Sequence, residues 1–293
     1  MYGALMCPFF NHLKTTGMKT ILLYAWLLLP FIVSAQSDST SAKANHLTAS
    51  VNYQTRLHYF GRTDSIQNSG LLPSISLESK LGLYATGNFI FINNANTPTK
   101  YVGTTVEVGY QLPATKYFNG NVFYTQFFYD DKSLLVQSAL KSQTGINTAF
   151  TNKIININLG GDLKFSDKTD YGATFGLDHL FIYKKGLKNM AFAFNPSVYV
   201  YAGTQNFSNT YQEQKKNILG IPYTQQTTEK VTNFNILSYE VSMPIVFVCG
   251  KFNASITPSY VLPQNLVVVA NNPSQSERGS NMFYAIFGIG FRL

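Results

Sequence analysis

One feature constrains this chain more than any other: apolar and polar residues alternate with a period of two, segment after segment, from about residue 47 to residue 293. Side chains on a β-strand point to opposite faces in turn, so this alternation predicts strands with one apolar and one polar face. Leu47, Ala49, Val51 and Tyr53 share one parity, with Asn52, Gln54, Arg56 and His58 on the other. In "YVGTTVEVGYQL", Val106, Val108 and Tyr110 alternate with Thr105, Glu107 and Gly109. Residues 154–165 set Ile157, Leu159 and Leu163 against Asn158, Asp162 and Lys164. The chain closes on "FYAIFGIGFRL", with Phe283, Ala285, Phe287, Ile289, Phe291 and Leu293 on one face and Arg292 on the other.

About twelve such strands are expected, most of about 10 to 14 residues. Strands of globular sheets average about five or six, whereas tilted strands that cross a bilayer need about 9 to 11. Composition agrees. Charged residues make up 12% of the sequence and aromatics 15%, against about 25% charged in ordinary soluble domains. No segment after Val33 holds the roughly 20 consecutive apolar residues of a spanning helix. The expected fold is all-β: an antiparallel, up-and-down transmembrane β-barrel over residues 47–293.

The beginning of the chain reads differently. From Met18, "MKTILLYAWLLLPFIVSAQ" has a basic start, a short apolar run and small residues before Gln36, the pattern of a cleaved signal peptide over 18–35. Residues 1–17 are expected to be a mis-called upstream start, and 36–46 a short N-terminal segment. Cleavage removes Lys14 and Lys19 from the 22 basic residues, leaving 20 against 14 acidic ones. That excess is spread thinly, without the dense basic stripe that nucleic-acid binding needs. Cys249 is then the one cysteine left, so no internal disulfide is expected.

Connection lengths sort by parity. The odd ones fall near 61–70, 94–99, 130–142, 166–169, 205–232 and 264–279; the even ones near 80–82, 113–116, 152–153, 185–189 and 249–250. All but 166–169 of the first set are long, and the second set is short. Outer-membrane barrels have this asymmetry, with short periplasmic turns and long outside loops. Pro196, Pro244 and Pro258 fall inside expected strands, where each removes a ladder donor, so bulges or strand ends are expected there.

The stretches "LLPSISLESKLGLYATGNF", "NPSVYVYAGTQNF", "LSYEVSMPIVF" and "ITPSYVLPQN" resemble an uncharacterised outer-membrane β-barrel family of the Bacteroidota. The last strand resembles the assembly signal of bacterial outer-membrane barrels, although it ends on Leu293, with Phe291 two residues before. The resemblance implies a barrel in the outer membrane of a Gram-negative bacterium, with membrane lipid and the barrel-assembly machinery as partners. It implies no activity, cofactor or catalytic residue.

Chemistry-bearing residues are sparse. His46, His58 and His179 remain after cleavage, with no Ser–His arrangement of a recognisable hydrolase. Asp130, Asp131, Asp167 and Asp170 match no calcium-loop spacing and read as solvated loop carboxylates, and "QEQKK" (212–216) as a solvated loop. Parity places Arg56, His58, Glu78, Lys80, Glu107, Asp162, Lys164, Asp178, Glu240 and Arg292 on the inner wall. Both signs occur there, which fits either an ion-paired filling or a narrow wet path. The expected role is non-enzymatic, a narrow pore or small-solute barrel with a surface loop at 205–232. The alternatives are a barrel enzyme acting on lipid or lipopolysaccharide, with a Ser–His pair at the lipid-facing rim, and a filled structural or surface-interaction barrel.

Overall fold

The structure is a computed structural model that describes residues 45–63, 67–94, 97–130, 133, 135–184, 189–219, 231–267 and 276–293. The expected upstream start, signal peptide and residues 36–44 lie outside the described residues, as does Asp131. Among the described residues, fifteen strands form one antiparallel sheet. In order they are β1 (His46–Gln54), β2 (Ser69–Glu78), β3 (Leu83–Asn94), β4 (Thr97–Gln111), β5 (Phe118–Tyr129), β6 (Ser142–Phe150), β7 (Asn156–Phe165) and β8 (Thr169–Asp178). Then come β9 (Phe181–Tyr183), β10 (Met190–Phe194), β11 (Ser197–Gly203), β12 (Asn235–Ser242), β13 (Ile245–Cys249), β14 (Phe252–Pro263) and β15 (Met282–Arg292). A helix, α1 (Asn206–Leu219), lies between β11 and β12, and a 3-10 turn (Val136–Ala139) lies between β5 and β6.

The sheet closes on itself. β1 pairs with β15 from Thr48↔Arg292 to Gln54↔Ile286, and β12 pairs with both β11 and β14. β9 continues β8, β11 continues β10 and β13 continues β12, so the ring has twelve staves, each beside its neighbours in sequence. Closure satisfies backbone groups that an open sheet would leave bare in hydrocarbon. The last strand is therefore a wall element, held by the first.

The two faces of the wall differ as the alternation requires. Outside stand exposed apolar side chains, among them Leu83, Val108, Phe175, Val198, Phe283, Phe287 and Ile289. Inside stand small polar residues, and Thr48, Ser50, Ser74, Ser76, Ser238 and Ser259 are buried there by neighbouring side chains. An apolar outer wall around a polar interior is the inverse of a water-soluble sandwich, and this fold is that of a transmembrane β-barrel. Rings lie along the inner wall over glycines of the next strand: Tyr84 at Gly109, Phe123 at Gly145 and Tyr199 at Gly176, where any Cβ would collide with the ring. Glycine inside a strand has this use, a close approach that a side chain would forbid.

Two expectations about the connections change, and the prolines fall at or beside strand breaks as expected. The β3–β4 connection is short, because both strands run on and absorb two register shifts, between Ile90 and Phe91 and between Ile92 and Asn94. The polar 205–232 stretch is not all loop, since its first half is α1. The three prolines interrupt the wall together. Pro196 separates β10 from β11, Pro244 separates β12 from β13, and Pro258 of β14 stands beside the second break. His179 N–H donates to the Pro196 carbonyl at 3.2 Å, Asn195 N–H to Pro244 at 2.9 Å and Met243 N–H to Pro258 at 3.1 Å. Each return bond is chemically impossible, because proline has no N–H.

Candidate functional site

The long-loop mouth is where the interior is most elaborately built. The β1–β2 connection turns back on itself at Tyr59–Arg62, with N–H to carbonyl bonds in both directions between these two residues. The residues between them, Phe60 (φ 51°) and Gly61 (φ 75°), are both left-handed, the signature of a two-residue type I′ turn. Glycine takes that conformation freely. A phenylalanine there costs about 1–2 kcal/mol, so something must hold it.

What holds it lies across the barrel. The Phe60 ring is 5.6 Å from the Lys164 Nζ of β7 and 5.3 Å from the Tyr201 ring of β11. In the ring of twelve, β7 is diametrically opposite β1, so this loop reaches across the mouth. Tyr59 meets Phe207 of α1 edge-on at 4.9 Å. It also packs on a buried cluster of Val136, Ala139, Leu140, Phe207 and Tyr211. The 3-10 turn and α1 thus supply a ceiling against which the loop tip rests.

Arg62 ties the plug down. Its side chain is 1% exposed, and its Nε donates to Glu277 at 3.1 Å. One terminal nitrogen donates to the carbonyls of Phe60 (3.3 Å) and Leu237 (3.2 Å), the other to Gln205 Oε1 (2.5 Å) and the Gln264 carbonyl (3.1 Å). A guanidinium presents five donors in a fixed fork, and here the fork joins three loops and the end of β12. Glu277 also accepts from the Val267 N–H at 2.8 Å. Such hydrogen bonds make a buried ion pair tolerable, although both bonds to Glu277 fall on Oε2 and its Oε1 is buried without a partner.

His58 sits beside the plug. The Gly61 N–H donates to its Nδ1 at 3.2 Å, so the neutral ring carries its proton on Nε2, which has no partner. Its ring meets Tyr284 edge-on at 4.4 Å, and the Tyr284 hydroxyl donates to Glu240 at 2.8 Å. Burial pulls the imidazole down to about 4, because the charged form would lose its hydration. Burial likewise raises the Tyr59 phenol well above its usual range.

Asp170 at the start of β8 is buried, and it accepts from the Thr204 hydroxyl (2.6 Å) and the backbone N–H groups of Asn206 (2.6 Å) and Phe207 (2.8 Å). It is the N-cap acceptor of α1 rather than a solvated loop carboxylate, supplied from a distant strand. Asp167 instead pairs with Lys141 at 2.8 Å in an exposed position. "QEQKK" falls in α1, where Gln212 is buried and Gln214 reaches the carbonyl of Ser138 at 3.4 Å. Among the described residues no group of three or more His, Cys, Asp or Glu is placed to hold a metal.

Below the plug the inner wall carries separate polar clusters. Glu107 accepts from Tyr84 (2.8 Å) and Thr125 (2.9 Å). Asp178 accepts from Asn156 (2.9 Å) and Asn158 (2.5 Å). Asp162 pairs with Lys164 beside Gly172, whose missing side chain leaves room for the pair. Glu107, Asp162, Lys164, Asp178 and Glu240 therefore stand on the inner face, and Glu78 and Arg292 share that parity at the short-turn rim. Arg56 and Lys80 do not line the wall: both lie outside the strands and are exposed, because β1 ends at Gln54 and β2 at Glu78. Arg62 and Phe60 were absent from the sequence-derived set; the adjacent "HYFGR", a bulky residue before a glycine, is the local trace of the turn.

These features define a closed transmembrane barrel with a plugged mouth. The chain is similar in structure to the NanC porin (11% identity, TM-score 0.44, 84% of this chain and 100% of that one). It is similar also to the KdgM porin (9%, 0.43, 83% and 98%) and to LpxR from Salmonella typhimurium (10%, 0.44, 83% and 99%). No protein-family model matches the sequence, and no curated protein matches it. The class assigned here rests on ring closure and on the opposite chemistry of the two faces.

Proposed function

We propose that this chain is an outer-membrane barrel of a Gram-negative cell that admits a small polar solute through a narrow lumen closed at rest. The carrying observation is the β1–β2 loop, which crosses the mouth to the opposite stave and is pinned there by the buried Arg62. A polar inner wall with carboxylates and a lysine suits a hydrated path below the plug, without marking the sign of the solute. Outer-membrane lipid surrounds the apolar wall, and the assembly machinery engages the chain through β15. Parity favours this reading over the catalytic alternative: His179 belongs to the outward-facing set, while Ser197, Ser242 and Ser259 of the neighbouring staves belong to the inward-facing one.

Planar-bilayer recording tests the reading. The unaltered protein is expected to give rare, brief openings, and Arg62→Ala a steady conductance at least several-fold larger. A wide, constant current from the unaltered protein would show that the plug closes nothing. A variant that keeps its closed ring, judged by gel mobility before and after boiling, yet stays silent would make the barrel a filled structural one.

A further inference from the structure

Charge separates the two ends of the barrel. The five short connections, residues 79–82, 112–117, 151–155, 184–189 and 250–251, hold seven lysines and no acidic residue, with at least one lysine in each. At the other end, connections 55–68, 130–141, 166–168, 204–234 and 264–281 hold nine basic and seven acidic residues, both signs in every one. Lys80, Lys116, Lys153, Lys184 and Lys251 of the short connections are exposed, as is Arg292 at the end of β15. Among the described residues none of these six forms an ion pair; the three pairs, at Arg62, Lys141 and Lys164, lie elsewhere. Five of the six stand next in sequence to a large apolar side chain that is itself bare: Leu81, Tyr117, Ile154, Tyr183 and Leu293 are 56–82% exposed. The Lys116 Nζ lies 5.2 Å from the centre of the Tyr117 ring. Half of this rim is one continuous tract. The Gly250 N–H donates to the Asn189 carbonyl and the Arg292 N–H to the Lys251 carbonyl, both at 2.8 Å. Arg292 pairs with Thr48, and the Lys80 N–H donates to Asn45 Oδ1 at 2.9 Å. The tract thus runs from Lys184 over β10, β13, β14, β15, β1 and β2 to Lys80, and Glu78, opposite His46, is its acidic side chain.

We infer that the short-turn rim binds anionic phospholipid, each exposed cation engaging a headgroup phosphate while its apolar neighbour stays in the hydrocarbon. The inference rests on the reading that the outer wall faces lipid. A rim of one sign, with its cations unpaired within the protein, calls for an anionic partner. The apolar neighbours select a lipid over a dissolved anion. A soluble polyanion could meet the lysines from below, but it would leave Leu81, Tyr117, Ile154 and Tyr183 bare. A lysine stem lies along apolar surface while its ammonium reaches the interface, so one phospholipid satisfies both halves of each pair. A net-negative headgroup is preferred to a zwitterionic one, because the ammonium of a zwitterion opposes the charge of the rim. Clustered lysines beside a membrane surface act together in this way on anionic lipid.

The test uses the full chain refolded into phosphatidylcholine vesicles with increasing phosphatidylglycerol, one or the other brominated on its acyl chains. Trp26 is changed to Phe, and a reporter is placed at the short-turn rim (Tyr183→Trp) or on the outer wall near the opposite end of β5 (Phe128→Trp). Brominated phosphatidylglycerol is expected to quench the rim reporter at a mole fraction at least threefold lower than the far reporter, while brominated phosphatidylcholine quenches both alike. Lys80→Gln, Lys184→Gln and Lys251→Gln together should erase the difference, and the same three positions changed to Arg should keep it. Equal quenching of both reporters by phosphatidylglycerol would overturn the inference, as would a preference that survives the three Gln changes. Brominated phosphatidylethanolamine that quenches the rim reporter as readily as phosphatidylglycerol would overturn the anionic assignment. Pelleting with isolated cell-wall sacculi tests the competing polyanion: retention abolished by the three Gln changes, without any lipid preference, would make the rim a cell-wall contact and overturn the lipid. A chain that never inserts into vesicles would instead refute the membrane reading itself.

Discussion

At the scale of single residues, the plug depends on two that oppose the local backbone or the local dielectric. Phe60 occupies a left-handed turn position that asparagine would fill with less strain. Phe60→Asn should therefore leave the thermal midpoint of the detergent-solubilised protein unchanged or slightly raised, while increasing the open time in bilayer recordings. A fall in the midpoint of many degrees would mean that the ring supports the fold rather than the closure. His58 supplies a pH response. Its folded value near 4 lies below the unfolded value of 6.5, so protonation favours the unplugged or unfolded chain. Stability is full above about pH 6.5 and falls as the pH drops toward 4, by an amount on the order of 3 kcal/mol. Thermal melts from pH 7 to 4.5 should show this loss, and His58→Gln should remove most of it. Little of this was legible beforehand. Apart from the Phe60 carbonyl, Arg62 finds its side-chain partners 143 to 215 positions away, and no local pattern encodes such meetings.

At the scale of elements, the strands were readable because each carries its own period-two pattern, and α1 was not. Its sequence is mostly polar, and the apolar part of its buried face is Phe207 and Tyr211, four residues apart, resting on the turn at Val136–Ala139 beside the buried Ser208, Thr210 and Gln212. That i, i+4 pair is the signal that could have disclosed it. The cap from Asp170 arrives from a different strand, so no capping motif precedes the helix in sequence. Asp170→Ala should cost about 0.5–2 kcal/mol of helix stability and speed protease cleavage in residues 205–232 by several-fold, with the ring still closed. Cleavage at the parental rate would mean that α1 is held by packing alone. The prolines make the same point about register: each was visible as a strand defect, but their common row exists only once β11, β12 and β14 are aligned.

At the scale of the whole molecule, the pattern of faces dictates behaviour. A chain with an apolar outer wall should be recovered in the outer-membrane fraction, resist carbonate extraction, and migrate faster unboiled than boiled on a denaturing gel. Recovery as a freely soluble protein would reverse the assignment of inside and outside. The fold class was legible from alternation, strand length and the absence of spanning helices, because those three properties are imposed by the bilayer on every stave alike. Whether the lumen is blocked was not, since twelve staves give a bore between filled and open, and the plug is tertiary in origin.

The pairing of Ala49 with Phe291 has a consequence for how the molecule is made. Until the final segment emerges and docks, the nascent ribbon keeps two bare margins, each a template for any neighbouring chain. Completion is all or nothing: the zipper's last tooth is also the one that hides both margins. The interval between synthesis and docking is thus when clumping with sister chains is most to be feared.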